Sequence, residues 1–432
     1  MRKFFRIFSI LVILAGVPIG VFLVGRQVGF FGKAGGIPSN LVIDAGTSFP
    51  DSNYSWKNLA QGGEEKGRML SNVVPSVAAL HPNYIRIDHV FDFYNIDSSW
   101  TNLDATINDI TTTGAKPFLS LSPLPETPIN WTDWESKVQN LVQHISGTLG
   151  INNVYYEVGN EPDLFGGWKT YGIKNYFDLY AHSVAGANRA SGVRSFKIGG
   201  PATTQLYQSW SQDFAKFVLA NNLRLDFYSW HKYSTNLDNF ENNAVNGRAW
   251  LLESGLSNNI ELIISEIGPD SNNSPVYDNG FGAIHAIAAA ASLEDLVSKI
   301  FSFEIKDGPT NKWGILNHEG VAKPRYNALL FLNNMIGNRI RVTGQGSWVK
   351  AFAKNDGKSI RILVVNYDPE GKHTEAVPLN FVNLPMKQFR FRRINWGAGN
   401  ARDIDVVTDS ANWSTLELMN PNTAAIFEIT PQ

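Results

Sequence analysis

The sequence of 432 residues contains no cysteine. This excludes disulfides, thiolate nucleophiles and cysteine-ligated zinc sites. The formal net charge is only −2, which argues against a nucleic-acid partner held through its phosphates. There is no Gly-x-Gly-x-x-Gly fingerprint after the first predicted strand and no Walker-type loop. The chain therefore lacks the signatures of disulfide scaffolds, nucleic-acid binders and nucleotide-binding domains.

Aromatic residues, by contrast, are plentiful, with 12 Trp, 14 Tyr and 26 Phe. Aromatic faces pack well on the C–H faces of sugars, but large cores use the same residues, so the count indicates no function by itself. The chain is long enough for one large domain and a smaller one.

The N-terminus has the pattern of a membrane segment. Basic residues precede residues 7–25, a run of nineteen residues without charge, and Arg26 ends it. This length is typical of a membrane span, whereas a cleaved signal is usually shorter and ends in a small-x-small site. We expect an uncleaved anchor over residues 1–28 and a linker over 29–39, with the remainder of the chain extracytoplasmic. A cleaved signal and a secreted protein is the alternative.

Eight short apolar runs alternate with amphipathic segments whose apolar residues recur at helical spacing. The runs are Leu41–Ala45, Tyr84–Asp88, Lys116–Leu121, Val154–Gly159, Lys197–Gly200, Asp226–Trp230, Glu261–Glu266 and Lys299–Glu304. Several are nearly continuously apolar, as strands covered on both faces should be. Eight alternating units predict a (β/α)8 TIM barrel over residues 40–336.

The sequence pattern changes at about residue 337, where the helical periodicity of apolar residues ends. Short strand-like runs follow at Ile340–Val342, Trp348–Ala353, Ser359–Asn366, Ala376–Phe381, Gln388–Arg393 and Ala424–Ile429. Asn355-Asp356-Gly357 is a strong turn signal between two of them. We expect a C-terminal antiparallel β-sandwich over residues 337–432, without chemistry of its own.

Two glutamates stand at the ends of barrel runs: Glu161 follows Val154–Gly159 directly after Asn160, and Glu266 ends Glu261–Glu266. Active sites of such barrels lie at the C-terminal ends of the strands, so both carboxylates should reach one rim. Most glycosidases hydrolyse the glycosidic bond with a pair of carboxylates. Other polar residues at or near strand ends are Arg86, Asp88, His89, Glu126, His231, Lys232, Tyr233, Glu304 and Asp307.

Four segments carry a resemblance to a known family. Glu157–Asp163 is similar to the acid/base segment of clan A glycoside hydrolases. With Tyr176–Tyr180, Ile198–Ala202 and Asp226–Tyr233, it resembles glycoside hydrolase family 39, whose members include β-xylosidases and α-L-iduronidases. The resemblance covers roughly residues 40–335 and, more loosely, the C-terminal sandwich.

The resemblance implies a retaining mechanism. Glu161 would be the general acid and then the general base, with a raised pKa, and Glu266 the nucleophile, stabilised by Tyr233 or Arg86. Asn160 would bind the sugar 2-hydroxyl. Further substrate contacts are expected from His231, Tyr233, Arg86, His89, Glu304 and Trp313. Glu304 could instead hold a loop, and Trp313 could be a rim aromatic that only packs.

The sequence departs from the family pattern around the sugar-binding positions. Gly159 stands where many members carry Trp, Ile267-Gly268-Pro269 replaces a commoner Trp-Asn, and Arg86-Ile87-Asp88-His89 replaces Arg-x-His-Gly. These changes leave the chemistry intact but leave the identity of the sugar open. Glu157 is expected to form a buried ion pair, with Arg86 as a candidate partner.

No cofactor and no metal are expected, since Asp88 and His89 lack a third ligand at sensible spacing. The expected substrate is an oligosaccharide or polysaccharide, cleaved in the manner of an exo-acting β-xylosidase. Two alternatives remain open: an endo-acting clan A glycanase, and a catalytically silent carbohydrate-binding protein on the cell surface.

Overall fold

The computed structural model describes residues 36–50, 54–63, 66–123, 130–310 and 312–432, without the side chains of residues 400 and 401. Glu126 and the expected membrane segment at residues 7–25 lie outside these ranges. Within them, no helix combines the length and the apolar character that crossing a bilayer requires. The anchor therefore stays a prediction.

Eight parallel strands close into a barrel in chain order, with the last strand paired to the first. They are β2 (Asn58–Gln61), β3 (Tyr84–Ile87), β4 (Lys116–Leu121), β5 (Val154–Val158), β6 (Phe196–Thr203), β7 (Phe227–Tyr233), β8 (Glu261–Gly268) and β9 (Lys299–Phe303). The predicted TIM barrel is confirmed.

Helices connect most of these strands. They are α1 (Val74–Ala78), α2 (Thr101–Thr112), α3 (Trp131–Val142, continued by a π-helical segment to Thr148), α4 (Tyr176–Arg189), α5 (Gln208–Ala220), α6 (Leu237–Glu253), α7 (Gly280–Leu293) and α8 (Pro324–Leu332). Asparagine precedes four of them: the side chains of Asn130, Asn175, Asn236 and Asn279 accept hydrogen bonds from backbone N–H groups of the first turn. These bonds satisfy donors that a helix cannot satisfy internally.

Aromatic side chains fill the barrel interior. Phe118, Tyr155, Phe227 and Phe301 pack together, with ring centroids of Phe118 and Phe301 4.7 Å apart. At the N-terminal end of the barrel, Glu261 binds Lys299 at 2.8 Å. The interior is therefore a packed core, and a cavity can open only at the C-terminal ends of the strands.

The remaining strands form one nine-stranded, mostly antiparallel sheet that folds into the expected sandwich. It contains β1 (Leu41–Phe49), β10 (Asn338–Thr343), β11 (Val349–Asn355), β12 (Ile360–Asn366), β13 (Glu375–Val382), β14 (Gln388–Asn395), β15 (Gly399–Val407), β16 (Trp413–Met419) and β17 (Thr423–Pro431), in the order β15-β14-β17-β12-β11-β10-β1-β13-β16. The predicted turn is present, with Gly357 at φ +82°.

The assignment of Leu41–Ala45 to the barrel was wrong. This run belongs to β1, which pairs with β10 and β13 of the sandwich, so the smaller domain takes one strand from the start of the described chain. Leu41 and Ile43 are buried while Val42 and Asp44 are partly exposed, the alternation of a strand covered on one face. The first barrel strand is β2, whose sequence Asn-Leu-Ala-Gln is too polar and short to signal a strand.

A buried ion pair joins the two domains. Lys354 of β11 donates to Glu294, just after α7, over 2.8 Å, and both side chains are almost completely buried. Ser55, just before β2, donates to the same carboxylate at 2.7 Å. Charges buried this deeply require a partner, so the pair favours one docking geometry.

Candidate active site

A cavity of about 380 Å³ opens at the C-terminal ends of the barrel strands. Its wall combines carboxylates, amides and aromatic rings, the composition expected for a sugar site. The lining residues are Gly62, Gly63, Asp88, His89, Asn160, Glu161, Leu164, Phe165, Tyr233, Glu266, Ser271, Phe303 and Trp313. Six of the nine site residues predicted from the sequence thus reach one cavity.

Glu161 and Glu266 face each other across this cavity. One carboxylate oxygen of each, together with a ring nitrogen of His231, forms a trio whose atoms all lie within 4.8 Å of one another. Retaining glycosidases hold their two carboxyl groups about 5–5.5 Å apart, and inverting enzymes about 6.5–9.5 Å. The upper limit of 4.8 Å between one oxygen of each carboxylate is nearer the retaining spacing than the inverting one.

The backbone around Glu161 is tightly constrained. Glu161 has a φ of +44° and its N–H donates to the carbonyl of Ala202 at 2.9 Å. Gly159 has a φ of +102°, and a Cβ there would lie 2.8 Å from the carbonyl oxygen of Pro201. The departure from Trp at position 159 therefore has a local reason: in this backbone the position has no room for a side chain.

His231 lies between the two glutamates. Its Nδ1 is 2.9 Å from Glu161 Oε1 and 3.4 Å from Glu266 Oε2, and its side chain is fully buried. Burial opposes charging of the ring, but the charge of Glu266 and the hydrogen bond and charge of Glu161 raise the pKa of His231 above its ordinary value.

The expectation of a raised pKa for Glu161 was wrong for the unliganded protein. Burial alone would raise it, but the hydrogen bond and positive charge of His231, and then Arg86, hold the pKa of Glu161 below its ordinary value. The opposite shifts of the two pKa values favour a proton on His231 over a proton on Glu161. Sequence reasoning missed this because the partner is 70 residues distant along the chain.

Arg86 is the buried cation beneath the site. It donates to Glu157 at 2.7 Å, to Glu266 at 2.8 Å and to the side-chain oxygen of Asn160 at 2.7 Å. The carboxylates of Glu157 and Glu266 raise the pKa of Arg86 despite its complete burial. The expected pair of Glu157 with Arg86 is present, and the fully buried Arg86 does not itself line the cavity.

Tyr233 and Asn160 complete the surroundings of the nucleophile. The hydroxyl of Tyr233 donates to Glu266 Oε2 at 2.7 Å. Burial and the charge of Glu266 raise the pKa of Tyr233 well above its ordinary value, so the phenol keeps its proton and remains a donor. With Arg86 on the other oxygen, both carboxylate oxygens of Glu266 are hydrogen-bonded, which fixes the orientation of the side chain.

Asp88 is a site residue that the sequence prediction omitted. It is 4% exposed, lines the cavity, and its Oδ2 accepts from Asn160 at 3.3 Å. Its Oδ1 is buried and has no hydrogen-bond partner among the described residues. Burial raises the pKa of Asp88 to about 6, against the opposing charges of His89 and Arg86. The available signal was its position at the end of β3, in a motif that departs from the family.

The rim candidates differ in their placement. His89 and Trp313 both line the cavity. His89 bonds Asp92 at 3.0 Å, and Trp313 donates to the carbonyl of Asn272 at 3.1 Å. Glu304 is fully buried, and its Oε2 accepts from Gln61 at 2.9 Å, which favours the loop-holding alternative.

The trio of Glu161, His231 and Glu266 also has the donor types of a metal site. Two features work against a divalent cation there. Arg86 already neutralises Glu266 at 2.8 Å, and the raised pKa of His231 favours a proton on the nitrogen that would bind the metal. The arrangement is suited to sharing a proton.

Comparisons with known proteins identify relatives of this chain. Residues 83–300 match the family described as glycosyl hydrolases family 39. A beta-xylosidase from Caldicellulosiruptor saccharolyticus is 24% identical over 353 residues, which are 71% of this chain and 69% of that protein.

Solved structures share the fold. A family 39 enzyme from Xanthomonas axonopodis pv. citri has a TM-score of 0.73 at 18% identity, covering 91% of this chain and 98% of its own. A monomeric beta-xylosidase from Caulobacter crescentus CB15 also has a TM-score of 0.73, at 16% identity, covering 91% and 99%. At these identities, the likeness speaks for the architecture alone. The family match, which spans β3 to the start of β9, together with the paired glutamates, identifies this chain as a glycoside hydrolase that belongs to glycosyl hydrolases family 39.

Proposed function

We propose that this protein is a retaining, exo-acting glycosidase of the β-xylosidase type. The observation that carries the proposal is the approach of Glu161 and Glu266 to within 4.8 Å, with His231 between them. This spacing leaves room for a sugar carbon between the two carboxylates. It leaves no room for the additional attacking water that an inverting mechanism requires.

In the first step, Glu266 attacks the anomeric carbon while Glu161 protonates the departing oxygen. Glu161 must carry a proton at that moment, and His231 Nδ1, 2.9 Å away, can return it. Arg86 and Tyr233 each donate a hydrogen bond to one oxygen of Glu266 and orient it for attack. The products are a covalent glycosyl ester on Glu266 and the free leaving group.

In the second step, water attacks the anomeric carbon from the side of Glu161. Glu161, now a carboxylate, removes a proton from that water, and the C–O bond to Glu266 breaks. The proton gained by Glu161 can pass back to His231. Two inversions at the same carbon leave the sugar with its original anomeric configuration.

The shape of the cavity supports exo action. Its volume of about 380 Å³ suits a single sugar with part of a second. The loop after β8 closes one side: Asn273 Oδ1 accepts from the N–H of Lys312, and the carbonyl of Asn272 accepts from Trp313. The beta-xylosidase name of the Caldicellulosiruptor saccharolyticus relative favours a pentoside as substrate.

The test is hydrolysis of a panel of aryl glycosides by wild type, Glu161→Ala and Glu266→Ala. We expect both variants to lose at least about a thousandfold in kcat/KM on substrates with poor leaving groups. Glu417→Ala, which removes a buried sandwich carboxylate, is the matched control and should retain kcat. A 2-deoxy-2-fluoro glycoside should label Glu266. Equal rates in all proteins would favour the silent binding protein instead, and an inverted product would refute the mechanism.

We also propose that the enzyme is anchored by residues 7–25 with its catalytic domain outside the cytoplasm. This rests on the sequence alone, on an uncharged run of membrane-spanning length behind basic residues. Mass measurement of the mature N-terminus tests it. An intact N-terminus in the membrane fraction supports an anchor, and a start beyond residue 28 in the medium supports a cleaved signal.

A further inference from the structure

The loop that follows Glu161 exposes apolar side chains beside the catalytic cavity. Leu164 is 61% exposed and Phe165 is 59% exposed, and both line the cavity that contains the two glutamates. Tyr171 and Ile173 of the same loop are 67% and 88% exposed. Large apolar groups exposed together at a site mouth mark a binding surface more often than chance.

The backbone ties Leu164 and Phe165 to the catalytic acid. Their N–H groups donate to the carbonyl of Glu161 at 2.9 and 2.7 Å, so the turn they form begins on Glu161 itself. The N–H of Trp168 donates to the carbonyl of Pro162 at 3.0 Å, and the Trp168 ring is 5% exposed, which anchors the turn from below. The two exposed side chains therefore have a fixed position relative to the acid.

The position of the acid determines which part of a substrate these side chains meet. Glu161 delivers its proton to the oxygen of the departing group, so that group must lie against Glu161 and not against Glu266. Side chains attached to the turn at Glu161 then lie beside the departing group.

Two charged side chains of the loop, Asp163 and Lys174, are already hydrogen-bonded within the protein. The carboxylate of Asp163 accepts from the N–H of Thr204 at 3.0 Å and also bonds its hydroxyl. Lys174 donates to the carbonyl of Gly166 at 2.7 Å. A run of further sugar units would need hydrogen-bonding partners here, whereas Leu164 and Phe165 offer apolar contact.

We propose that Leu164 and Phe165 form a leaving-group subsite that selects glycosides with an apolar aglycone, an aromatic ring or an alkyl chain. The proposal rests on the proposed function, because it takes Glu161 as the acid. It adds a substrate class: glycosides of apolar alcohols or phenols in preference to internal bonds of a polysaccharide.

The test compares wild type with Leu164→Ser/Phe165→Ser on three substrates that share one glycone: an aryl β-xyloside, xylobiose and β-xylosyl fluoride. The fluoride has no organic leaving group, so it reports the chemistry without the subsite. We expect the variant to lose roughly tenfold in kcat/KM on the aryl xyloside, mainly through KM, and less than twofold on the fluoride.

The matched control is Leu416→Ser/Leu418→Ser, which removes two leucines of β16 that are 63% and 60% exposed far along the chain from the site. It should leave all three rates unchanged. An unchanged aryl rate in the loop variant would overturn the proposal, as would an equal loss on the fluoride or a larger loss on xylobiose. If the loop variant lost self-association but kept its kinetics, the surface would bind a second copy of the chain. That result would also overturn the proposal.

A binding measurement separates this proposal from the proposed function. Saturation-transfer NMR with a series of aryl and alkyl glycosides requires no turnover. We expect the strongest signals from the aglycone protons in wild type, and their loss in the loop variant. A protein that hydrolyses none of these glycosides but gives this pattern would refute the proposed function alone. Absence of the aglycone signal in a hydrolysing enzyme would refute the subsite alone.

Discussion

The barrel and the sandwich treat buried charge in different ways. In the sandwich, Glu417 is neutralised by Arg393 at 3.1 Å and by Arg402 at 2.7 Å, with arginine side chains that reach solvent. In the barrel, the fully buried Arg86 serves Glu157 and Glu266, and three more ionisable groups, Asp88, Glu161 and His231, share the same region.

The strands of the two domains also differ in how they are buried. All five residues of β5 are buried, whereas the residues of β13 alternate between buried and more exposed. A strand covered on both faces can expose its polar groups only at its end, so barrel charges converge there. A strand with one solvated face can distribute them along its length. The concentration of incompletely neutralised charge therefore distinguishes the domain that carries the chemistry.

The largest expected effect follows from removing the buried cation. Arg86→Met leaves Glu157 without its countercharge, and we expect a loss of about 3–5 kcal/mol in the free energy of unfolding. Activity should fall at least about a hundredfold because Glu266 loses a donor. The counterpart in the sandwich is Arg402→Met, a 40% exposed side chain, which should cost less than about 1 kcal/mol and no activity. Urea unfolding and kcat/KM measure both.

The double variant Arg86→Met/Glu157→Gln sharpens this result. Neutralising Glu157 should restore much of the stability, since no buried charge then lacks a partner there, but it should not restore activity. Recovery of both would mean that Arg86 acts only through folding.

The next effect concerns the shared proton. His231→Ala removes the imidazole whose raised pKa holds the proton beside Glu161. Burial by itself raises the pKa of Glu161. Without His231, we still expect Glu161 to lose its proton at a lower pH than the pair of Glu161 and His231 loses the proton that it shares. We expect the alkaline limb of the kcat/KM profile to move to lower pH, with a loss of about 10–100-fold at pH 7. An unmoved limb would show that His231 does not supply the proton.

A smaller effect concerns Asp88 and the dependence of stability on pH. The folded pKa of about 6 lies above the ordinary 3.8, so the folded state binds this proton more tightly. The contribution of Asp88 to the free energy of unfolding is on the order of 3 kcal/mol. It is fully present below about pH 4 and is lost as the pH rises through about 6. The difference between wild type and Asp88→Asn should show this slope. A difference that is flat between pH 4 and 7 would contradict the raised pKa.

The smallest effect tests whether the sandwich assists the barrel. Tyr367, just after β12, donates to the carbonyl of Thr235 at 2.8 Å, and His285 bonds the carbonyl of Ser234 at 2.8 Å. Both carbonyls directly follow Tyr233, the donor to Glu266. Tyr367→Phe should lower kcat roughly fivefold, about the value of one hydrogen bond, with little change in KM.

Tyr180→Phe is the matched control, because the hydroxyl of Tyr180 donates to the carbonyl of Arg224 at 2.7 Å, before the opposite end of β7. It should alter stability alone. In a Tyr233→Phe background, Tyr367→Phe should have no further effect on kcat. An equal further loss would show that Tyr367 supports the fold without positioning Tyr233.

The sequence by itself determined the barrel, seven of its eight strands, and the two glutamates, because these depend on local signals: continuous apolar runs, and polar residues where such runs end. It did not reveal that Leu41–Phe49 joins the sandwich, since a short apolar strand is compatible with either sheet until its partners are known. The strands β15 and β16 were missed for a related reason, because both are rich in polar residues that a solvated face tolerates.

Only the tertiary structure decided where the protons lie. The low pKa of Glu161 and the contacts of Arg86 depend on distances between groups about 70 to 180 residues apart along the chain, and the raised pKa of Asp88 depends on its burial. Electrostatic energy depends on spatial separation and on burial, which a one-dimensional pattern does not contain. The sequence identifies the residues of the candidate site, and the fold determines the pKa shifts of those residues.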